Sequence, residues 1–270
     1  MNSNLILSAG GRRYGRTPPA PMPWQRQLKR AMPADYPLYG DLANFDGPPK
    51  DQGEEGSCTG HAFAESGEWI VRRWMPTLGP LVFSPQYPYA LALMAQGDFP
   101  NDDGSDGVTL ANVVIQNGFC PLDAFPYVPG QITQPTAAQL AAGAANRFVG
   151  AYHSVADGET AVSILADPVP WVIQVGFTVY SSFESDEVAT TGVYNPQPGE
   201  QVLGGHEVKA SGWDIGATPT LRPVGCPPAV KIQNSWGSGW GLKGYFWMPL
   251  TVLDASDTDI KIIHLGSPWK

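Results

Sequence analysis

Three cysteines in 270 residues (Cys58, Cys120 and Cys226) are too few to staple a chain of this size. That excludes a disulfide framework and leaves at most one bridge, Cys120 to Cys226, beside a free Cys58. Charged residues are also scarce, at 15%, which with abundant Gly and Pro argues against a helical bundle or a disordered chain. Long apolar runs are missing: nothing approaches the roughly 18 residues that a membrane span needs. Leu5-Ile6-Leu7 is too short for a secretory h-region and has no basic residue ahead of it. The net charge of -9 gives no basis for general nucleic-acid affinity. The expectation is a soluble protein of a reducing compartment, monomeric by default, with no membrane or nucleic-acid partner.

What the chain does contain is 43% hydrophobic residues with 31 Gly and 27 Pro, enough for one large core or two modest ones joined by many turns. The charge is uneven. Residues 1–35 carry six bases and one acid, net +5, which leaves -14 for the rest. Residues 1–45 are read as a basic, Pro-rich N-terminal extension in which 24–31 has the spacing for two helical turns. Its charge suggests an inhibitory prosegment, with 24–31 in or near an acidic cleft.

Three- and four-residue spacing of Ala62, Phe63, Ser66, Trp69, Ile70 and Trp74 predicts a helix over 57–73, with Ser57 as N-cap. Further helices are expected at 85–95, 109–117 (ended by Gly118) and 137–145. After about residue 148 the pattern turns to strands: 148–153, 170–178, 206–213, 229–236, 244–248 and 260–265, interrupted by a helix at 158–166. Helices first and strands after indicate an α+β chain. A mainly helical lobe (46–146) and a mainly β lobe (147–270) would have a cleft between them.

Three separated stretches supply chemistry: 51–58 (Asp-Gln-Gly-Glu-Glu-Gly-Ser-Cys), Gly204-Gly205-His206, and 231–241 with Asn234, Trp236 and Trp240. A thiol at a helix start meets unpaired backbone N–H groups that favour its anion. A neighbouring imidazolium lowers its pKa further. His206 is the candidate base, and Gly204 and Gly205 leave space beside its ring. Asn234 is placed to accept from the far imidazole nitrogen, Trp236 to cover that bond, and Gln52 to form an oxyanion hole with the Cys58 N–H.

These residues resemble the papain-like cysteine peptidases over roughly 45–250. The family's Gln-Gly-x-Cys-Gly-Ser-Cys-Trp is matched by Gln52-Gly53-Glu54-Glu55-Gly56-Ser57-Cys58-Thr59. Its histidine strand is matched by Gly205-His206, and its asparagine motif by Asn234-Ser235-Trp236-Gly237 with Trp240-Gly241. Ser84-Pro85-Gln86-Tyr87 and Phe125-Pro126-Tyr127 resemble its connecting segments. The resemblance implies a two-lobed fold with a β-barrel-like C-terminal lobe and a Cys58-His206-Asn234 endopeptidase using Gln52. It also implies a peptide or protein substrate with an apolar side chain bound beside the scissile residue, and no metal or organic cofactor. Acyl transfer, isopeptide or cell-wall peptide cleavage, and a non-catalytic binding module are the alternatives.

Departures stand at Glu55, in place of a disulfide cysteine, at Thr59, in place of tryptophan, and at Glu207, placed to pair with Lys209 on one strand face. The long helical propeptide of many members is not expected. His61 reads as a packed core side chain, and His153 and His264 as structural. Residues 101–107 have the oxygen spacing of a calcium loop but no terminal glutamate, so a solvated surface turn is expected.

Overall fold

The computed structural model describes residues 12–19 and 27–266. In chain order its strands and helices are β1 (Tyr39–Asp41), α1 (Cys58–Trp74), α2 (Gln86–Gln96), α3 (Gly107–Asn117), α4 (Ala137–Ala144), β2 (Val149–Val155) and α5 (Gly158–Leu165). They continue as β3 (Trp171–Tyr180), α6 (Asp186–Thr191), β4 (Val202–Asp214), β5 (Ala229–Gln233), β6 (Tyr245–Pro249), α7 (Leu250–Leu253) and β7 (Asp259–Leu265). The result is a two-lobed α+β fold, with helices first and an antiparallel sheet after.

The sheet runs β2-β7-β3-β4-β5-β6, with β1 against β4. It is open rather than closed into a barrel. β3 (Trp-Val-Ile-Gln-Val-Gly-Phe-Thr-Val-Tyr) is almost continuously buried, because it lies between β4 and β7 and is covered on both faces. β1, β2, α6 and α7 are short or amphipathic pieces at the margins.

Local chemistry sets the helix ends. The Asp106 side chain caps α3 by accepting from the Val108 and Thr109 N–H groups. Thr136 and Gln139 form a capping box on α4, and Gly97 closes α2 with φ 85°. One hydrophobic core lies among Phe63, Trp69, Ile70, Phe83 and Phe119 of the helical side. A larger one lies under the sheet around Phe177, Phe183, Tyr194, Trp236 and Phe246.

α1 runs through the middle, with every residue from Cys58 to Val71 buried. Gly60 is needed for this, since a Cβ there would stand 2.3 Å from the Pro85 carbonyl oxygen.

A buried ionic layer joins α1 to β4. Lys209 donates to Asp46 at 2.5 Å, Tyr245 donates to the other Asp46 oxygen at 3.0 Å, and Lys50 pairs with Glu68 at 2.7 Å. Three acids thus share two bases. The third, Glu65, accepts from the Lys50 backbone N–H at 3.3 Å. Burial pushes its carboxyl up to about 8, against the pull of Lys209 and Lys50.

The three cysteines are free and buried. Cys120 packs with Tyr87 and Phe125, and Cys226 with Ala229 and Trp247. Among the described residues no helix is long and apolar enough to cross a membrane.

Part of the expected N-terminal organisation is corrected. Residues 27–31 are extended, not helical: Leu28 N–H donates to Ser154 O at 2.8 Å, and Ala156 N–H donates to Leu28 O at 2.9 Å. The tertiary partner β2 overrides the helical spacing. Trp24 to Arg26 lie outside the described residues.

Folded Glu65 holds a proton that the unfolded chain releases above its ordinary 4.5, so stability falls as pH rises from about 4.5 to about 8. Glu65→Gln is uncharged throughout and should flatten that fall by at most about 1.4 kcal/mol per pH unit. Urea unfolding at several pH values measures it, and an unchanged slope would place the titration elsewhere.

Candidate active site

The loop leading into α1 is bound to the segment that follows β5. Gln52 N–H donates to Ser235 O at 3.0 Å, Ser235 Oγ donates to Gln52 Oε1 at 2.7 Å, and Gly237 N–H donates to Lys50 O at 2.8 Å. Tyr127 closes the loop from the other side, donating to Gln52 O at 2.8 Å and accepting from Ser57 Oγ at 3.0 Å. Ser57 therefore occupies the N-cap position without a side-chain capping bond.

No covalent bridge holds this loop; carboxylates do. Glu55 accepts from Gln86 Nε2 (3.0 Å) and from Gly130 N–H (2.8 Å), and burial pushes it up to about 7. Asp102 accepts from Gly56 N–H (3.0 Å) and the Tyr89 hydroxyl (2.6 Å). Residues 101–107 are thus a wall of the cleft and not a solvated turn. Asp102 is spent on the loop leading into α1, Asp106 on capping α3, and Gly104 and Ser105 are buried. No cluster of three metal-ligating side chains occurs among the described residues.

His206, on β4 opposite Phe177 of β3, donates from Nε2 to Asn234 Oδ1 at 2.8 Å. Ser235 N–H donates to the same oxygen at 2.9 Å, so the carbonyl end of the amide is fixed toward the imidazole. His206 Nδ1 has no hydrogen-bond partner although it is buried. The Trp236 ring lies 5.4 Å from the imidazole and shields the His206–Asn234 bond. Cys58, His206, Asn234 and Gln52 are all fully buried.

The cover comes from residues 12–17. Gln52 Nε2 donates to Arg13 O at 3.3 Å as well as to Glu55 O at 3.0 Å. The Tyr14 ring meets His206 edge-on at 6.1 Å and lies 6.1 Å from Trp236, and its hydroxyl donates to Glu184. Gly15 packs against Gly56, two residues before Cys58, where a Cβ on Gly56 would stand 3.2 Å from Gly15 Cα. Arg16 N–H donates to Gly205 O (3.0 Å), Ser105 N–H to Gly15 O (2.6 Å), and Thr17 N–H to Ser105 O (3.0 Å). The guanidinium of Arg12 sits 4.6 Å above the Trp236 ring.

The space expected beside the imidazole at Gly204 and Gly205 is therefore filled. Cβ atoms there would stand 2.5 Å from Tyr14 Cβ and 2.3 Å from Arg16 O. An open cavity of about 560 Å³, lined by Arg13, Glu54, Glu55, Asp102 and Ile132 among others, lies beside this covered cleft.

Covering reverses the expected electrostatics. Desolvation pushes the Cys58 thiol up to about 12, partly offset by backbone hydrogen bonds from Glu207, Gly15 and Thr59. It takes His206 down to about 4 despite the Asn234 hydrogen bond. Burial thus favours the neutral form of both groups, opposite to the lowered thiol pKa expected from the sequence.

Other expectations are settled by contacts. His61 is buried, donating from Nδ1 to Ser57 O at 2.9 Å, with Tyr127 packed edge-on at 4.7 Å. His153 and His264 stack on each other at 5.4 Å. Glu207 does not pair with Lys209, which reaches Asp46 and Ser211; its partners are Arg16 and Lys261. The segment in the cleft is 12–17, whereas 27–31 lies against β2 and α5, with Arg30 paired to Asp167 and to Thr160. Sequence reasoning missed Tyr14, Gly15, Arg16, Ser105 and Tyr127. The signal available was Arg12-Arg13-Tyr14-Gly15-Arg16, a basic run with a glycine that passes a narrow place.

The family model for papain family cysteine proteases matches residues 47–257. An uncharacterized peptidase C1-like protein of Acanthamoeba polyphaga mimivirus is 29% identical over 217 residues, 74% of this chain and 63% of its own length. A cathepsin B-like cysteine proteinase of Caenorhabditis elegans is 42% identical over 74 residues, 27% of this chain and 18% of its own. The chain thus spans under two thirds of these curated relatives. Among solved structures, xylellain, a cysteine protease from Xylella fastidiosa, superposes with a TM-score of 0.79 at 22% identity, covering 93% of this chain and 95% of its own. The proform of the ragweed pollen cysteine protease Amb a 11 gives 0.65 at 20%, covering 87% and 68%. These two likenesses establish the fold. By its family match, this chain belongs to the papain family of cysteine proteases.

Proposed function

We propose that the protein is a cysteine endopeptidase acting through Cys58, His206 and Asn234, and that residues 12–17 hold it latent. The observation that carries this reading is the 2.8 Å His206–Asn234 bond on a ring whose Nδ1 is left without a partner. Asn234 fixes the tautomer with the proton on Nε2, so Nδ1 is the basic nitrogen that takes the Cys58 proton.

The thiolate attacks the peptide carbonyl, and the oxyanion is held by Gln52 Nε2, which in the covered form reaches the Arg13 carbonyl. His206 returns the proton to the leaving amine, and a thioester remains on Cys58. Water then attacks the thioester with His206 as base, releasing the carboxylic acid and restoring the thiol. Binding of substrate in the cleft requires 12–17 to lift, and that readmits the water needed for the thiolate–imidazolium pair.

Cys58→Ala and His206→Ala should each lower kcat/KM by about 10⁴-fold or more, and Gln52→Ala by about 10²–10³-fold. Folded variants with undiminished hydrolysis would overturn the triad.

Latency is tested at Gly15, where a Cβ would stand 1.7 Å from the Gly56 carbonyl oxygen. Gly15→Ala should expel the segment and speed Cys58 alkylation at neutral pH at least about tenfold over wild type. His206→Ala should abolish the gain. A wild-type chain that labels as fast as Gly15→Ala and hydrolyses as well would remove latency from the account.

A further inference from the structure

The Arg16 side chain enters a pocket built from both lobes. It forms ion pairs with Glu207 of β4, at 3.8 Å, and with Asp259 of β7. Arg16, Glu207 and Lys261 are each 3% exposed or less in their side chains, whereas Asp259, at 26%, stands at the mouth. Lys261 already pairs with both acids, so when Arg16 leaves, two acids share one ammonium, and Glu207, which burial pushes up to about 7, loses the cation that pulls it down. Asp106, which acts on both Arg16 and Glu207, adds to the negative field. Glu207 Oε2, 3.8 Å from Arg16 Nε, has no hydrogen-bond donor even with Arg16 in place.

Two glycines make the room. A Cβ on Gly176 would stand 2.6 Å from Arg16 Nε, Asp259 Oδ1 and Glu207 Oε2, and one on Gly107 would stand 2.8 Å from Glu207 Oε1 and Lys261 Nζ. A slot with small walls and acidic ends fits a flat guanidinium, not a branched apolar side chain.

We propose that this pocket selects arginine in the substrate, one residue before the residue whose carbonyl is attacked. The placement rests on the peptidase reading above. Gly15 packs on Gly56, two residues before Cys58, and Arg16 is its neighbour in the chain. Tyr14, on the other side, packs on His206 and Trp236, the side where His206 must protonate the leaving amine. The Arg16 pocket is therefore on the acyl side, and Arg16 is its internal occupant. An apolar side chain there, as the family resemblance implied, would leave Glu207 Oε2 with no cation facing it.

The test uses the full chain carrying Gly15→Ala and Arg16→Ala, which lifts the segment and vacates the pocket. Thermal unfolding with N-acetyl-arginine amide or N-acetyl-leucine amide reads the pocket without any chemistry at Cys58. Only the arginine amide should raise Tm. In parallel, an acyl-Arg-Gly aminocoumarin substrate should show kcat/KM at least about tenfold above the acyl-Leu-Gly analogue. Adding Glu207→Gln, or separately Asp259→Asn, should erase both preferences while alkylation of Cys58 persists. Equal or better use of leucine, or arginine selectivity that survives both variants, would overturn the proposal and leave the peptidase reading standing. Arginine-selective binding with no hydrolysis of either substrate would do the reverse.

Discussion

The seam between α1 and β4 is the constraint on which the site depends. Cys58 stands on one side and His206 on the other, so their relation is only as firm as that seam. Lys209, three residues beyond His206, is bound to Asp46, six residues before Gln52. Ser235, next to Asn234, is bound to Gln52 twice, through backbone and side chain. Each partner pair lies close in sequence to a site residue on both ends. Breaking the buried Lys209–Asp46 pair would strand a charge at a cost of about 3–5 kcal/mol and would disturb the geometry and the fold together.

Residues 12–17 act on that rigid frame in two ways. They help bury Cys58 and His206, which raises the thiol pKa and lowers the imidazole pKa, and they satisfy groups that would otherwise face an empty cleft. Gln52 Nε2, Gly205 O, Ser105 N–H and the Glu207 carboxylate all find partners on this one strand of chain. A segment that answers so many separate polar groups is read as an occupant of the cleft and not as chance packing.

Much of this was legible beforehand. The apolar spacing in α1 and the Gly118 stop on α3 are local signals, and the structure follows them within a residue or two. Cys58, His206 and Asn234 stood out as candidates because a thiol at a helix start, a histidine after two glycines and an asparagine beside a tryptophan are each unusual, and the structure bonds the last two at 2.8 Å. Short pieces escaped notice. β1 exists because β4 offers it an edge, and α6, though bounded by Ser185 and Gly192, is too short for periodicity to show. The identity of the covering segment was not readable either. Charge asymmetry pointed to the first 35 residues, but the choice of 12–17 over 27–31 turned on Gly15 fitting against Gly56 and on β2 claiming Leu28. Both are contacts across long stretches of chain. The pairing of Glu207 failed for the same reason: its partners lie 191 and 54 residues away, and its near neighbour Lys209 is taken by Asp46.

The covered thiol has a chemical consequence of its own. Peroxide and low-molecular-weight disulfides react with thiolates that they can reach. Cys58 beneath Tyr14 and Gly15 offers neither charge nor access, so the resting protein should survive oxidants that would convert an open site to sulfinic acid. On the latent reading proposed above, the segment that keeps peptides from Cys58 would keep oxidants from it as well.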